Sequence, residues 1–143
     1  MQKKSYTPHG PSFQFIDERE IIEIGKKVRA TKWLDPELPF FKDHFPEAPL
    51  FPAVYMIEAG AQAAGCIWGS QSEELTPSRY LVARIMQFNI KQPVFPNQTL
   101  VIEAVLERDF GTLGQFQIEL FVEGVLVAQG VIVLSRSTAV FEK

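Results

Sequence analysis

The residues best suited to chemistry lie in one stretch, DHFPEAPLFPAVYMIEAGAQ, which runs from Asp43 to Gln62. It places His44 among prolines and then Glu58 among alanines and glycines. A histidine titrates near neutral pH, and a loop stiffened by proline can aim its ring as a general base. A carboxyl group buried among apolar residues stays protonated unless a partner is supplied, and a protonated carboxyl is a general acid. The stretch therefore offers a candidate base and a candidate acid.

The residue types alone do not decide whether Glu58 and His44 have structural or catalytic roles. Helical spacing fits a Glu58 that faces solvent as well as one that faces the interior. A lone histidine is more often structural than catalytic, and His44 has no second histidine in its loop. The other histidine, His9, lies in a polar N-terminal segment and is expected to be solvated.

A helix N-terminus follows the histidine loop. Pro52 stands where proline is tolerated, in the first turn of a helix that the composition predicts over residues 53–69. The backbone N–H groups of Ala53 and Val54 then lack intrahelical acceptors and lie at the positive end of the helix dipole. They can bind a developing oxyanion. A base, a neutral acid and an oxyanion site together match removal of a proton α to a carbonyl with loss of a β-hydroxyl, which is a dehydration.

The remaining elements are predicted to be strands. Pro36, Pro39, Pro46 and Pro49 make residues 34–51 an ordered loop, and Gly60 and Gly65 imply a close neighbour for the helix. The pattern predicts an α+β domain, residues 1–143, whose antiparallel sheet wraps one long helix. The predicted strands are a hairpin over Phe13 to Trp33 that turns at GKK, followed by RYLVARIMQFNI, TLVIEAVLERD, GQFQIELFVE and VLVAQGVIVLS.

Composition excludes several classes of function. The net charge of −3 and the scattered basic residues argue against binding of nucleic acid, and no apolar run is long enough to span a membrane. The single cysteine, Cys66, is expected to be a buried core residue, and with no secretory signal the setting is expected to be cytoplasmic. His44 and Glu47 match no common zinc spacing, so neither a metal nor another cofactor is expected.

The sequence also resembles a known family. The segment PFFKDHFPEAPLFPAVYMIEAGAQAAG is similar to the signature of the FabZ-type (3R)-hydroxyacyl-acyl carrier protein dehydratases, in which a His-Phe-Pro loop leads into a helix bearing Glu-Ala-x-Ala-Gln. FIDEREIIEIGKKVRATKW resembles the first hairpin of that family. The stretch from FNIKQPVFPNQ to GVIVL resembles its sheet, with the Lys-x-Pro-Val-x-Pro turn. The resemblance implies the hot-dog fold.

The resemblance also implies roles for residues. His44 matches the catalytic base and Glu58 the catalytic acid, contributed by different subunits of a homodimer, with a hexamer built as a trimer of dimers left open. Ala53 and Val54 match the oxyanion site, and Gln62 matches a glutamine that orients the acid or merely lines the tunnel wall. The implied substrate is a (3R)-hydroxyacyl group on the phosphopantetheine arm of acyl carrier protein, and the product is a trans-2-enoyl thioester.

Departures and alternatives limit the resemblance. Ala53 stands where the family usually has glycine, which puts the substrate range in doubt, and Asn97 replaces a turn glycine with little expected consequence.

Arg84 and Lys91 are candidates for docking the acidic carrier protein. Three alternative functions are a hot-dog acyl thioesterase, a dehydratase of a polyene or polyketide-like pathway, and a non-catalytic acyl-carrier-binding subunit.

Overall fold

The computed structural model describes residues 6–71 and 79–136 of the 143-residue chain. Its long helix, α1, spans Ala53–Gly69, as the composition predicted, with Pro52 as the N-cap residue. Two short 3-10 helices cover Pro11–Phe13 and Pro39–Lys42. The strands are β1 (Glu18–Glu23), β2 (Lys27–Trp33), β3 (Leu81–Ile90), β4 (Thr99–Asp109), β5 (Leu113–Val122) and β6 (Val125–Ser135).

The six strands form one antiparallel sheet in the order β1-β2-β4-β5-β6-β3. Helix α1 makes its most extensive contacts with β4 and β2 and also contacts β5, β6 and β3. This arrangement confirms the predicted α+β architecture of a sheet around one helix. No helix within the described ranges is long and apolar enough to cross a membrane.

Alternation of side chains in β4 and β5 builds the core beneath the helix. One face of each strand is buried, while Glu107 and Gln117 on the other face are exposed. Period-two alternation places apolar side chains on the helix side of the sheet. The predicted inward positions are all buried: Leu100, Ile102, Ala104, Leu106, Phe116, Ile118, Leu120 and Val122.

The first predicted strand was too long at its N-terminal end. Strand β1 begins at Glu18 rather than at Phe13. The reason is that the backbone N–H of Phe15 and the backbone carbonyl of Phe13 bond to the side chain of Gln62, not to a neighbouring strand. Phe15 and Ile16 are buried in the core instead of alternating across a sheet. The side chain of Gln62, which is distant in sequence, therefore takes the place of inter-strand backbone hydrogen bonds in this segment.

The glycines of α1 allow a close approach of the sheet, as predicted. A Cβ atom built on Gly60 would lie 2.7 Å from Cγ2 of Ile118 and 3.5 Å from Cδ1 of Ile132. A Cβ on Gly65 would clash with the ring of Tyr80. The helix therefore has no room for side chains at these positions.

Substitution of Gly60 by alanine should lower stability, although alanine favours a helix by about 1 kcal/mol. The new methyl group meets Ile118, a β-branched side chain with few alternative rotamers, and overpacking of a core costs about 1 to 3 kcal/mol. Gly69→Ala is the matched control, because a Cβ there meets no atom within 4 Å. Chemical denaturation should therefore give opposite signs for the two variants. Stabilisation by Gly60→Ala would contradict the close contact.

Candidate active site

The ring of His44 is held by its own loop. Its Nδ1 lies 2.9 Å from the backbone carbonyl oxygen of Leu50, and the N–H of Leu50 donates back to the carbonyl of His44 at 2.7 Å. A carbonyl oxygen only accepts, so Nδ1 carries the hydrogen. The neutral ring then has its lone pair on Nε2, which is the form that acts as a general base. The proline-rich loop thus sets both the position and the tautomer of the ring.

A cavity of about 420 Å³ opens beside this ring. It joins the histidine loop, the first turns of α1 and the end of β3, and Lys91 brings a positive charge to it. Its lining consists of His44, Phe45, Leu50, Phe51, Ala53, Met56, Ile90, Lys91, Gln92 and Pro93. A mostly apolar cavity with a single base and a cation suits an acyl chain attached to a polar group.

The N-terminus of α1 meets this cavity at Ala53. No side chain caps the helix there, since the N-cap residue is Pro52. The backbone N–H groups of the first turn have no intrahelical acceptors, so those of Ala53 and Val54 are open to an anionic oxygen. Both residues are exposed. The structure therefore brings the predicted oxyanion donor Ala53 and the predicted base His44 to one cavity.

The carboxyl group of Glu58 is held by the side chain of Gln62, one helical turn further on. Gln62 is fully buried, and its Nε2 donates to Oε1 of Glu58 at 3.1 Å. The same amide donates to the carbonyl of Phe13 at 2.9 Å and accepts from the N–H of Phe15 at 2.8 Å. These backbone partners define which end of the amide is nitrogen. Glu58 itself is half-buried, with 22% of its side chain exposed, so neither of the two sequence-based alternatives describes it fully.

The prediction that His9 is solvated was wrong. Its side chain is 22% exposed, and its Nε2 lies 3.2 Å from Oε1 of Glu58. The residue was missed because its segment is polar, yet the signal used for His44 was present: His9 is flanked by Pro8 and Pro11. Its ring packs near Phe13 and Tyr80, with centroid distances of 5.8 and 5.9 Å. The N-terminal segment is therefore part of the surroundings of Glu58.

Two buried titratable side chains of this region, Tyr80 and Cys66, are neutral at neutral pH. Burial raises the pKa of the Tyr80 hydroxyl well above its ordinary value, and electrostatic interaction with Cys66 and Glu58 acts in the same direction. Burial also raises the pKa of the Cys66 thiol to about 11, an effect that the positive charge of Arg19 only partly offsets. A thiol with that pKa has little thiolate at neutral pH and is a poor nucleophile. Cys66 is therefore the buried core residue that the sequence predicted.

A single chain does not bring Glu58 to the His44 cavity. Ala53 and Met56 line that cavity, and Glu58 follows Met56 by two residues, which is about 200° around the helix. Glu58 is not one of the described residues that line this cavity. The face of α1 that carries the candidate acid Glu58 is therefore not the face that lines the cavity of the candidate base His44.

Comparison with known proteins identifies the family. Residues 7–131 match the family model described as a FabA-like domain. The 3-hydroxyacyl-acyl-carrier-protein dehydratase FabZ of Thiobacillus denitrificans is 34% identical over 131 residues, which cover 90% of each chain. FabZ of Escherichia coli is 33% identical over 131 residues, covering 91% of this chain and 87% of that protein. The chain belongs to the FabA-like family, and the relatives it resembles are of the FabZ type.

Solved structures confirm the hot-dog fold. The dehydratase heterocomplex ApeI:P from Xenorhabdus doucetiae superimposes with a TM-score of 0.77 at 16% identity, covering 96% of this chain and 95% of that one. A hypothetical thioesterase from Streptococcus pneumoniae with coenzyme A has a TM-score of 0.64 at 11% identity, covering 86% and 88%. A dehydratase and a thioesterase share this fold, so the fold alone does not define the reaction.

Replacement of Gln62 by methionine should destabilise the protein strongly. The substitution keeps the length of the side chain but leaves the buried backbone N–H of Phe15 without a partner, at a cost of about 1 to 3 kcal/mol, and also removes the partly buried bond to the carbonyl of Phe13. Gln117→Met, on the exposed face of β5, is the matched control and should change the free energy of unfolding by no more than about 0.5 kcal/mol. Equal effects in urea titrations would contradict the bonding assigned to Gln62.

Proposed function

We propose that the protein is a hydro-lyase that dehydrates (3R)-hydroxyacyl thioesters carried by acyl carrier protein, in fatty acid or related biosynthesis. The observation that carries the proposal is the ring of His44, which lines an apolar cavity at the N-terminus of a helix and whose Nδ1 is bonded to the carbonyl of Leu50, leaving Nε2 as the basic nitrogen. Membership of the FabA-like family and identity of 33 to 34% to FabZ dehydratases support the same reaction.

His44 supplies the base. Its Nε2 removes the proton from C2 of the substrate, and negative charge develops on the thioester oxygen. The backbone N–H groups of Ala53 and Val54 stabilise that oxygen, because they lack intrahelical acceptors and lie at the positive end of the helix dipole. Ala53 also lines the cavity, so its methyl group occupies space there that a glycine would leave open and affects which acyl chains fit.

Glu58 supplies the acid. Its carboxyl proton passes to the C3 hydroxyl group as the C3–O bond breaks, so water leaves and a trans-2 double bond forms between C2 and C3. Transfer of the proton from His44 to Glu58 after product release restores both groups. Gln62 orients the carboxyl group through its bond to Oε1. No cofactor is required by this sequence of steps.

Because Glu58 does not line the His44 cavity of its own chain, the proposal requires a second chain, and the free edge of the sheet supports such an assembly. Strand β3 is an edge strand of ten residues, and Leu81, Val82, Ile85 and Ile90 on it are exposed. A long apolar edge pairs readily with another strand. We infer a homodimer that joins its two sheets at β3 and brings His44 of one subunit to Glu58 of its partner. A hexamer of three such dimers stays a prediction.

The carrier protein docks near Lys91 in this proposal. Lys91 lines the His44 cavity, and Arg84 is an exposed residue of the edge strand β3. Both charges are opposite to the acidic surface of a carrier protein, which favours its approach. The single thiol, Cys66, is buried and agrees with a reducing, cytoplasmic setting.

Turnover of 3-hydroxyacyl-acyl carrier protein tests the function. His44→Ala and Glu58→Gln should each lower kcat by at least about 100-fold, because general bases and acids contribute about 10² to 10⁴ each. Glu107→Gln, on the exposed end of β4, is a control for loss of a carboxylate and should keep kcat. Product should be followed by mass spectrometry of the carrier-bound thioester over a series of chain lengths.

The same assay separates the alternatives. Release of free thiol would identify a thioesterase, and tight binding of carrier protein without turnover by the wild-type protein would identify a non-catalytic subunit. Restriction of turnover to polyene-like substrates would favour a specialised pathway over general fatty acid synthesis. Near wild-type turnover by Glu58→Gln would remove Glu58 from the proposed mechanism.

Mixing of two inactive variants tests whether the site is shared between subunits. A dimer of one His44→Ala chain and one Glu58→Gln chain has both defects in one site and none in the other. After subunit exchange of equal amounts, half of the dimers are mixed, so about a quarter of wild-type turnover should return. The control is the double variant mixed with itself, which should stay inactive. If no activity returned although mixed dimers had been detected by mass spectrometry, the residues would act within one chain.

A further inference from the structure

We propose that His9 is a positioning residue for Glu58: its Nε2–H, together with the amide of Gln62, holds one carboxyl oxygen so that the other is presented to the substrate. The inference rests on the proposed role of Glu58 as the acid. It concerns the N-terminal segment, to which the sequence assigned no function.

Two donors meet the same oxygen of Glu58. The Nε2 of Gln62 lies 3.1 Å from Oε1, and the Nε2 of His9 lies 3.2 Å from the same atom. Within the described residues, no donor reaches the second oxygen, Oε2. In a protonated carboxyl group the oxygen that accepts N–H groups is the carbonyl oxygen, so a Glu58 that acts as the acid carries its proton on Oε2. That proton is then free to be transferred to the leaving hydroxyl.

The histidine is held in place by several bonds along its segment. The side-chain amide of Gln14 donates to the carbonyl of His9 at 2.7 Å. Upstream, the thiol of Cys66 lies 3.6 Å from the carbonyl of Tyr6, and downstream Gln62 binds the carbonyl of Phe13. The segment is thus fastened to α1 on both sides of His9. A ring held in this way keeps a constant direction toward Glu58.

Stability alone does not account for a histidine at this position. Its Nδ1 is buried and has no hydrogen-bond partner in the described part of the chain. A buried polar atom without a partner opposes folding, and a phenylalanine would fill the same space between Phe13 and Tyr80 without that penalty. The nitrogen that does have a partner is Nε2, and its partner is the proposed catalytic acid.

Three substitutions of His9 separate positioning from packing. His9→Ala removes both the ring and the donor, His9→Phe keeps the ring, and His9→Gln keeps a donor near the place of Nε2. If His9 positions Glu58, the first two variants should lose kcat by about 10- to 100-fold, the range expected when a catalytic group is displaced by about 1 Å. KM should stay within about 2-fold, because the interaction serves the transition state. His9→Gln should recover at least about 10-fold of the loss in kcat.

If His9 serves only to pack against its neighbours, the variants should rank in the opposite order. In that case His9→Phe would keep kcat and thermal stability, while His9→Gln would lose both together. Thermal unfolding of each variant should therefore accompany the kinetics. Retention of wild-type kcat by His9→Phe, or failure of His9→Gln to exceed His9→Ala in a folded protein, would overturn the proposal.

Combination with Glu58→Gln distinguishes this inference from the proposed function. If His9 acts through Glu58, adding His9→Ala to Glu58→Gln should lower kcat no further, so the double-mutant cycle is non-additive. If His9→Ala lowered kcat equally in the wild-type protein and in Glu58→Gln, His9 would act independently of Glu58. The inference about His9 would then be wrong, while the proposed dehydratase function would be unaffected. Full activity of Glu58→Gln alone would instead refute the role of Glu58.

Discussion

The burial of helix α1 against the sheet is the constraint on which the rest of the structure depends. Its middle consists of small residues, so strands with Ile118 and Ile132 approach its backbone closely. Such an approach buries much apolar surface, but it leaves little space for polar side chains on the helix. A polar side chain on α1 therefore costs free energy unless it is hydrogen-bonded or reaches the surface. The side chain of Gln62 is fully hydrogen-bonded, and the carboxyl group of Glu58 is partly exposed at the surface.

Gln62 links the fold to the site through one amide. Its oxygen and its two N–H bonds are all used, two of them on the backbone of Phe13 and Phe15 and one on Glu58. Because the backbone bonds hold the amide, the direction of its remaining N–H is defined by the fold. The bonds of Gln62 to the backbone also hold the N-terminal segment against the helix instead of in the sheet. In this position His9 contacts the carboxyl group of Glu58. A single buried side chain thus determines both where β1 begins and how the candidate acid is held.

Local patterns predicted most of the fold. The helix over 53–69, the strands over 99–109 and 125–135, and the inward positions of β4 and β5 follow from periodicity and from turn residues, which are properties of neighbours in sequence. Asn97 also has the positive φ, 64°, that its place in a turn suggested. The start of β1 could not be predicted, since it depends on Gln62, 47 residues away from Phe15. The same is true of the contact between His9 and Glu58, because composition cannot show which segment covers a helix.

The position of His44 shows a further limit of sequence reasoning. Its type and its proline-rich loop suggested a base, but only the contact with the carbonyl of Leu50 defines which ring nitrogen is free. The resemblance of the sequence to a family implied that base and acid come from different subunits, and in a single chain Glu58 is not among the residues that line the His44 cavity. For His44 and Glu58 to act on one substrate, Glu58 must reach the His44 cavity of another chain, since it does not line the cavity of its own. A second copy whose histidine loop faces Glu58 satisfies this requirement without any change of the core, and the apolar edge of β3 offers the surface on which such a copy can associate.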